Sequence, residues 1–369
     1  VSIPDEDVRD FDNSAFGVSA AQGMREIVGY AEVEPDGSVM MKVPANVALG
    51  VSILDGEGRR IGPRHNNWLQ LRPGQLMECA GCHDPGSGES HGRADAYAVL
   101  NEGAEVTGQP FPNTDPALFA DVGETMAEVR ARTSCSTDCA AIEPSLDLVY
   151  EDVWTDEVAA GRAKDEPFAW RYGPTVVPGE SGLDTLAPTT PDCIGDWSAT
   201  CRAVINYEAH IHPLWSKPRI VDVDQDGIPE ADNTCITCHT RTDAMGQLKV
   251  PDGQLELTDG ASPDEPDHFN AYRELLAADN EQILDMGALV DRLVEVGVDP
   301  ETGDPILEPV TVPPSMRTAG ANASGRFFDR FAPGGSHAGW LTPAELKLVS
   351  EWLDVGAQYY NNPFDAPEN

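Results

Sequence analysis

Two copies of one five-residue pattern, Cys-x-x-Cys-His, constrain this chain more than any other feature: CAGCH at residues 79–83 and CITCH at residues 235–239. Two cysteines three positions apart lie on one side of a helical turn, and the next residue places an imidazole beside them. This is the attachment pattern of a c-type haem, in which two thiols bond the porphyrin and the histidine binds the iron. The sequence therefore predicts two covalently bound haem c groups, attached through Cys79, Cys82, His83, Cys235, Cys238 and His239.

Zinc binding and thiol redox chemistry are the alternatives for paired cysteines. A structural zinc ion takes four nitrogen or sulfur ligands, and dithiol exchange has no role for the adjacent histidine. Neither alternative explains why the whole pattern, histidine included, occurs twice. Two haem irons are therefore the interpretation that uses every residue of the pattern.

The second axial ligand of each iron separates electron transfer from catalysis, because an iron with two strong ligands is closed to small molecules. For the second haem we expect His337 in the segment PGGSHAGW, where Gly334 and Gly335 allow the backbone to approach the haem edge. Met316, as a thioether ligand, is the alternative.

The first haem has a less definite second ligand. His91, in the segment GESHGR, follows the attachment pattern closely on a flexible stretch, and His65 and His210 are alternatives. A surface or hydrogen-bonded role is open for each of these histidines. The predicted iron ligands are thus His83, His91, His239 and His337.

A calcium-type loop precedes the second pattern. In DVDQDGIPEADN, residues 222–233, oxygen-bearing side chains alternate and a glycine stands where the loop must turn sharply. Asn233 occupies the position at which an EF-hand carries a bidentate Glu, and a solvated acidic turn is the alternative. A bound ion would fix the approach to Cys235. The predicted Ca²⁺ ligands are Asp222, Asp224, Asp226, Ile228 through its carbonyl, Glu230 and Asp232.

The composition bears on partners. The chain has 24 Lys and Arg against 63 Asp and Glu, a formal net charge of -39. Such a surface argues against nucleic acid and steers cationic partners toward the protein, so basic redox proteins are the expected partners. No run approaches eighteen apolar residues, so no membrane span is predicted.

Cysteine usage bears on location. The cysteines outside the two patterns are Cys135, Cys139, Cys193 and Cys201. An even, closely spaced set predicts two disulfides and an oxidising compartment, which in a bacterium is the periplasm or the exterior. Local pairing is preferred, although three pairings are open. The N-terminal VSIPDEDVRD has no signal-peptide pattern, so a leader has been removed or the chain is part of a longer precursor.

The predicted fold is α+β and multidomain. Residues 27–72 combine turn-forming segments with alternating apolar residues such as Val47, Leu49, Val51 and Ile53. This pattern predicts a small β-sandwich within residues 1–95, which ends in the first haem site. Residues 96–204 are predicted to be a loop-rich connector carrying the other four cysteines. One helix is expected there, over residues 115–133, capped by Thr114 or Asp115.

Residues 205–369 predict an α-helical, cytochrome c-like domain with the second haem and the calcium-type loop. Helices are expected at INYEAHIHPLW, DHFNAYRELLAAD and LTPAELKLVSEWLDVGA. The last has Thr342 as N-cap, Pro343 in the first turn and Glu345 completing a capping box, and Gly356 ends it. Its apolar face is Leu346, Val349 and Leu353.

Two segments resemble a known family. EVEPDGSVMMKVPANVALGVSILDGEGRRI…WLQLRPGQLMECAGCH is similar to the middle domain of the hydrazine synthase alpha subunit family. INYEAHIHPLW…CITCH…FFDRFAPGGSHAGWLTPAELKLVSEWLDVGAQYYNNPF is similar to the C-terminal cytochrome c domain of that family. The resemblance covers residues 27–93 and 205–365. It implies a β-domain that ends in a haem site, and a second haem with His239 and His337 as its two ligands.

These observations predict an exported dihaem c-type cytochrome that transfers electrons, either to a partner or between subunits of a homo-oligomer or filament. The alternative is a haem enzyme in which the first iron is open and five-coordinate and acts on peroxide or a nitrogen compound. Hydrazine synthesis itself requires an open first iron and partner subunits, so the resemblance implies fold and haem ligation more than activity. A third hypothesis is a binding module whose β-domain holds a partner.

Overall fold

The computed structural model describes residues 16–17, 23–64, 68–79, 101–135, 139–224, 228–362 and 364–366. Short strands and helices surround one large hydrophobic core. The strands are β1 Ile53–Leu54, β2 Arg60–Ile61, β3 Gln109–Pro110, β4 Phe119–Ala120, β5 Leu148–Tyr150, β6 Phe168–Arg171, β7 Glu180–Gly182, β8 Ile220–Val221, β9 Ala231–Asp232, β10 Asp279–Asn280, β11 Gln282–Asp285, β12 Ala288–Asp291, β13 Leu293–Val298, β14 Pro305–Pro309 and β15 Thr311–Val312.

The strands pair locally. Antiparallel pairs are β1 with β2, β3 with β4, β8 with β9, β10 with β15, β11 with β12 and β13 with β14, while β5, β6 and β7 form a mixed three-stranded sheet with β6 and β7 parallel. The helices are α1 Met126–Ser134, α2 Glu157–Ala160, α3 His212–Ser216, α4 Cys235–Cys238, α5 Asn270–Leu276, α6 Gly325–Phe328 and α7 Pro343–Val355, and a π-helical turn, Tyr207–Ile211, leads into α3.

The N-terminal segment is sparser in strand than a β-sandwich. Among its described residues, regular strand is limited to β1 and β2, and single bridges join Ile27 to Ala203, Tyr30 to Ser145 and Leu49 to Leu69. Of the apolar residues predicted to alternate along a half-buried strand, Leu49 is buried, whereas Val51 and Ile53 are exposed. Two of the three bridges run to residues beyond 140, so this segment is held by the connector rather than by a second sheet of its own.

The connector contributes to the main core. Tyr172, Leu183 and Cys201 are buried there beside Phe16, Met24 and residues of α7. One body of packed side chains therefore includes residues from all three predicted segments. The preferred local disulfide pairing is confirmed, with Cys135 bonded to Cys139 and Cys193 bonded to Cys201.

The connector helix begins later than predicted. α1 starts at Met126, and its N-cap is Thr125, whose side chain accepts from the Glu128 N–H while Glu128 caps the Thr125 backbone in return. The proposed caps Thr114 and Asp115 are wrong. Gly123, with φ +86, precedes the helix, and the Thr-x-x-Glu capping box determines its start.

The C-terminal helix matches its prediction closely. α7 has the Thr342–Glu345 capping box, Pro343 in its first turn and Gly356 as C-cap. Its buried face includes Val349 and Leu353, and also Leu348 and Trp352, all with no exposed surface. Burying a large aliphatic side chain contributes about 1.5–3 kcal/mol. α7 is therefore the central packing element of the core.

The predictions for the two other helices of this part are confirmed by the Tyr207–Ile211 turn with α3, and by α5. The helical prediction fails between residues 279 and 312, which form β10 to β15. These strands make two hairpins on a short stem, described below. Within the described residues, no helix has both the length and the apolar composition needed to cross a membrane.

Candidate functional site

The second Cys-x-x-Cys-His pattern lies on α4, a single helical turn. The preceding Thr234 is buried, and the Asp232 carboxylate accepts hydrogen bonds from the Thr234 N–H at 2.9 Å and the Thr237 hydroxyl at 3.2 Å. Cys235 is buried, Cys238 is half-buried, and neither forms a disulfide. Both thiols are thus present on one turn, as thioether attachment requires.

His239 follows directly and is held by residues well beyond the pattern. Its N–H donates to the Cys235 carbonyl at 3.0 Å, and its own carbonyl accepts from the Leu257 N–H at 2.9 Å. The ring Nδ1 lies 3.1 Å from the Leu255 carbonyl oxygen. A carbonyl only accepts, so Nδ1 carries the proton and Nε2 presents a lone pair.

His337 lies on the loop between α6 and α7. Its backbone N–H donates to the Arg330 carbonyl at 2.8 Å, and its Nδ1 is 2.8 Å from the Ser336 hydroxyl. A Cβ on Gly335 would lie 2.3 Å from the Arg330 oxygen, so only glycine allows this close turn. The ring packs edge-on against Trp340 at 4.5 Å between centroids.

The structure brings His239 and His337 together. Their ring centroids are 6.2 Å apart and the ring planes are inclined by 30°. An imidazole binds a metal end-on, through the in-plane lone pair of a ring nitrogen about 2 Å from the ion, so two imidazoles on opposite sides of one ion have their centroids about 6 Å apart. Both rings have Nδ1 engaged, which leaves Nε2 of each for a metal. The residues therefore fit a haem iron with two histidine ligands.

The charge state of the rings suits the same role. Burial lowers the pKa of both imidazoles, and the neighbouring His239 lowers the pKa of His337 further. Both rings are consequently neutral near pH 7, the form in which an imidazole nitrogen binds a metal.

Arg219 is a positioning residue that the sequence did not reveal. Its guanidinium forms a two-pronged ion pair with Glu345 of the α7 capping box, and donates to the carbonyls of Trp340 at 2.7 Å and Leu214 at 3.2 Å. Its backbone N–H donates to the Thr234 hydroxyl at 2.9 Å. Arg219 thereby joins the start of α4, through its backbone, to the His337 loop and the start of α7, through its side chain.

The other predicted iron ligands are distributed as follows. Met316, the alternative to His337, is fully buried in the main core. His210 is buried and accepts from the Asn206 N–H through Nδ1. Cys79 is exposed at the end of the N-terminal segment. Cys82, His83, His91 and His65 lie outside the described residues, so the first site stays a prediction.

Part of the calcium-type loop forms a cluster. Ligand atoms of Asp222, Asp224 and Glu230 lie within 4.8 Å of one another, and Glu230 accepts from the Val223 N–H at 2.7 Å. Ile228 is exposed, and Asp226 lies outside the described residues. Asp232 is not in this cluster, because its carboxylate caps the start of α4 instead.

Comparisons with known proteins give one finding. The family model of the hydrazine synthase alpha subunit middle domain matches residues 6–84. This confirms the predicted resemblance over residues 27–84, which include the whole first Cys-x-x-Cys-His pattern. No curated protein and no solved structure matches the chain. The resemblance of residues 205–365 to the family's cytochrome c domain stays a prediction.

Proposed function

We propose that this protein is an exported dihaem c-type cytochrome that transfers electrons. The observation that carries the proposal is the pairing of His239 and His337 at 6.2 Å, beside the thiols of α4. A haem bound there would be held by Cys235, Cys238, His239 and His337 and would supply a one-electron couple. The chain's own contribution is to hold the two imidazoles neutral, oriented and partly shielded from water.

The rigidity of the ligand set supports electron transfer over catalysis at this site. His239 is oriented by the Leu255 carbonyl, and the His337 loop is tied to α4 and α7 through Arg219. Fixed ligands keep the geometry of an iron similar in its two oxidation states. Partners that bear a basic surface are proposed from the net charge of -39.

A second candidate function rests on the family match. Residues 6–84 are similar to a domain of an enzyme subunit, hydrazine synthase alpha, and this segment contains the whole of the first pattern, CAGCH. If the first iron lacks a second protein ligand, it would be open to a small substrate such as peroxide or a nitrogen compound, and the second haem would supply its electrons.

Carbon monoxide distinguishes the two functions. The reduced, haem-loaded protein is exposed to carbon monoxide and its absorption difference spectrum recorded. We expect no binding at the second haem and, for an electron carrier, none at the first. Stoichiometric binding at one haem per chain would favour the enzyme, and binding at the second haem would contradict the assignment of His337.

We also propose a calcium ion at Asp222, Asp224 and Glu230. Three carboxylates this close repel one another, and a divalent cation with oxygen ligands would relieve that repulsion. At a calcium concentration a hundredfold above Kd, the wild-type chain should gain about 2.7 kcal/mol of stability, measured as a higher Tm. The Asp224→Asn variant should show a much smaller shift, and an equal shift in both chains would contradict the site.

A further inference from the structure

Residues 279–312 form a projection that we call the β arm. Its stem is the pair β10–β15, and it carries two hairpins, β11–β12 and β13–β14. Backbone bonds from Arg292 to Glu281, from Glu281 to Val310 and from Val310 to Arg292 close the junction at 2.7, 2.7 and 3.0 Å. The arm is therefore an ordered ribbon rather than an irregular loop.

The β arm carries many exposed apolar side chains within a short stretch of sequence. In the β13–β14 hairpin the exposed fractions range from 37% to 55% for Leu293, Val294, Val296, Val298, Ile306 and Leu307. In the β11–β12 hairpin Met286, at the turn, is fully exposed. Exposed apolar side chains concentrated on one short ribbon in this way indicate an interaction site.

The same surface is strongly acidic. Residues 279–312 contain nine carboxylates and one basic residue, Arg292, which is ion-paired with Glu281 at 2.8 Å. Register places Val294 opposite Glu308 and Leu307 opposite Glu295. Apolar and acidic side chains therefore form cross-strand pairs. A partner protein must offer apolar side chains to cover the first kind and cations to pair with the second.

This charge decides among the partners. A second copy of the arm, or an anionic lipid surface, would place like charges together, which is destabilising. A basic segment of another protein would instead be attracted to the carboxylates of the arm. Among the described residues, β13 and β14 pair only with each other, so each strand also has one edge without a neighbouring strand. Such edges accept an added strand from another protein.

The arm is also connected to the candidate haem site. The Gln254 side chain forms a reciprocal pair of hydrogen bonds with the Gln282 backbone, at 3.0 Å to its carbonyl and 2.8 Å from its N–H. Gln254 precedes Leu255, whose carbonyl orients His239. A protein docked on the arm would thus lie on the side of the molecule that carries α4.

We propose that the β arm is a docking surface for a partner protein, and that it receives an extended segment with alternating apolar and Lys or Arg residues as an added β-strand. A segment added beside β13 would place its apolar side chains next to Val294 on one face and its cations next to Glu295 on the other. A segment added beside β14 would meet Leu307 and Glu308 in the same way. The proposal does not depend on haem binding, because it rests on the arm alone.

The test uses the full chain and short fluorescent peptides. The probe alternates Lys and Val, one control alternates Glu and Val, and a second control has the Lys/Val composition in two blocks. Anisotropy is measured at about 0.15 M ionic strength, where long-range attraction is screened. We expect the alternating Lys/Val peptide to bind at least about tenfold more tightly than both controls.

Charge-reversal variants locate the binding. Glu295→Lys with Glu308→Lys should weaken binding of the Lys/Val peptide by about tenfold or more. The matched double variant Glu57→Lys with Glu166→Lys changes the same net charge at exposed positions away from the arm and should leave binding unchanged. A thermal melt of each variant checks that the fold is intact.

Several outcomes would overturn the proposal. Equal binding of the alternating and block Lys/Val peptides would show general electrostatic attraction. Equal loss in both double variants would place the site elsewhere. Wild-type dimers that dissociate only in the Val294→Ser or Leu307→Ser variant would identify a second copy of this chain as the occupant.

Discussion

The first cysteines of the two Cys-x-x-Cys-His patterns, Cys79 and Cys235, lie in different surroundings. Cys235 is buried against the main core, and His239 is fixed by the Leu255 carbonyl. Cys79 is exposed, at the end of a segment whose regular strands, among its described residues, are β1 and β2. The same local pattern therefore says nothing about how firmly its surroundings hold it. That firmness comes from distant residues, of which Arg219 and His337 are examples.

Removing each attachment site should give the largest difference between the two regions. Cys235→Ser with Cys238→Ser should remove one haem and lower the Tm, because the second site loses a bound group beside the main core. Each kcal/mol of stability lost should lower the Tm by about 2–4 °C. Cys79→Ser with Cys82→Ser should remove the other haem with a smaller fall in Tm. Intact-protein mass and thermal melts measure both, and equal falls would contradict the account.

Replacing His337 tests the ligand pair directly. His337→Ala should leave the second haem attached but convert it to a high-spin, five-coordinate iron, seen as a change in the visible absorption spectrum. Ser336→Ala, which removes only the partner of Nδ1, should keep the low-spin spectrum. A low-spin second haem in His337→Ala would mean that another residue, such as Met316, is the ligand.

Core packing should also differ between the two regions. Leu353→Ala on α7 removes a fully buried side chain and should cost about 2–5 kcal/mol. Val51→Ala in the N-terminal segment, where the side chain is exposed, should change the free energy of unfolding by less than about 0.5 kcal/mol. Denaturant unfolding of the two variants gives both values, and similar costs would contradict the comparison.

The smallest expected effect concerns the α7 capping box. Thr342→Ala removes the side chain that accepts from the Glu345 N–H at 3.2 Å and should cost about 1 kcal/mol. Thr125→Ala on α1, which has the same kind of cap far from the site, is the matched variant. Only Thr342→Ala should also broaden the absorption of the second haem, since Glu345 holds Arg219. Equal spectra would show that the cap acts on stability alone.

Local sequence patterns predicted the elements that local chemistry determines. The α7 capping box, its C-terminal Gly356 and the two short disulfides needed only nearby residues. His337 was also singled out from its glycine-rich loop, and the structure places its ring 6.2 Å from that of His239. Its role as an iron ligand stays a prediction.

Tertiary features escaped the sequence for physical reasons. Lys347 and Glu351 read as solvated helix charges, yet they form a buried pair at 2.6 Å, with the Lys347 ammonium 3.7 Å from the Tyr172 ring centroid. Arg219 looks like any surface arginine until three distant elements converge on it. The β arm did carry a signal, valine-rich alternation around Asp-Pro-Glu-Thr-Gly, which predicts a hairpin.

The most direct test of the central claim is the low-temperature EPR spectrum of the oxidised, haem-loaded protein, with spins counted per haem. The account predicts low-spin signals from both haems, including one from the His239–His337 site. A full equivalent of high-spin iron at the first haem would turn the proposal toward an enzyme. High-spin iron at the second haem would contradict the ligand pair on which the account is built.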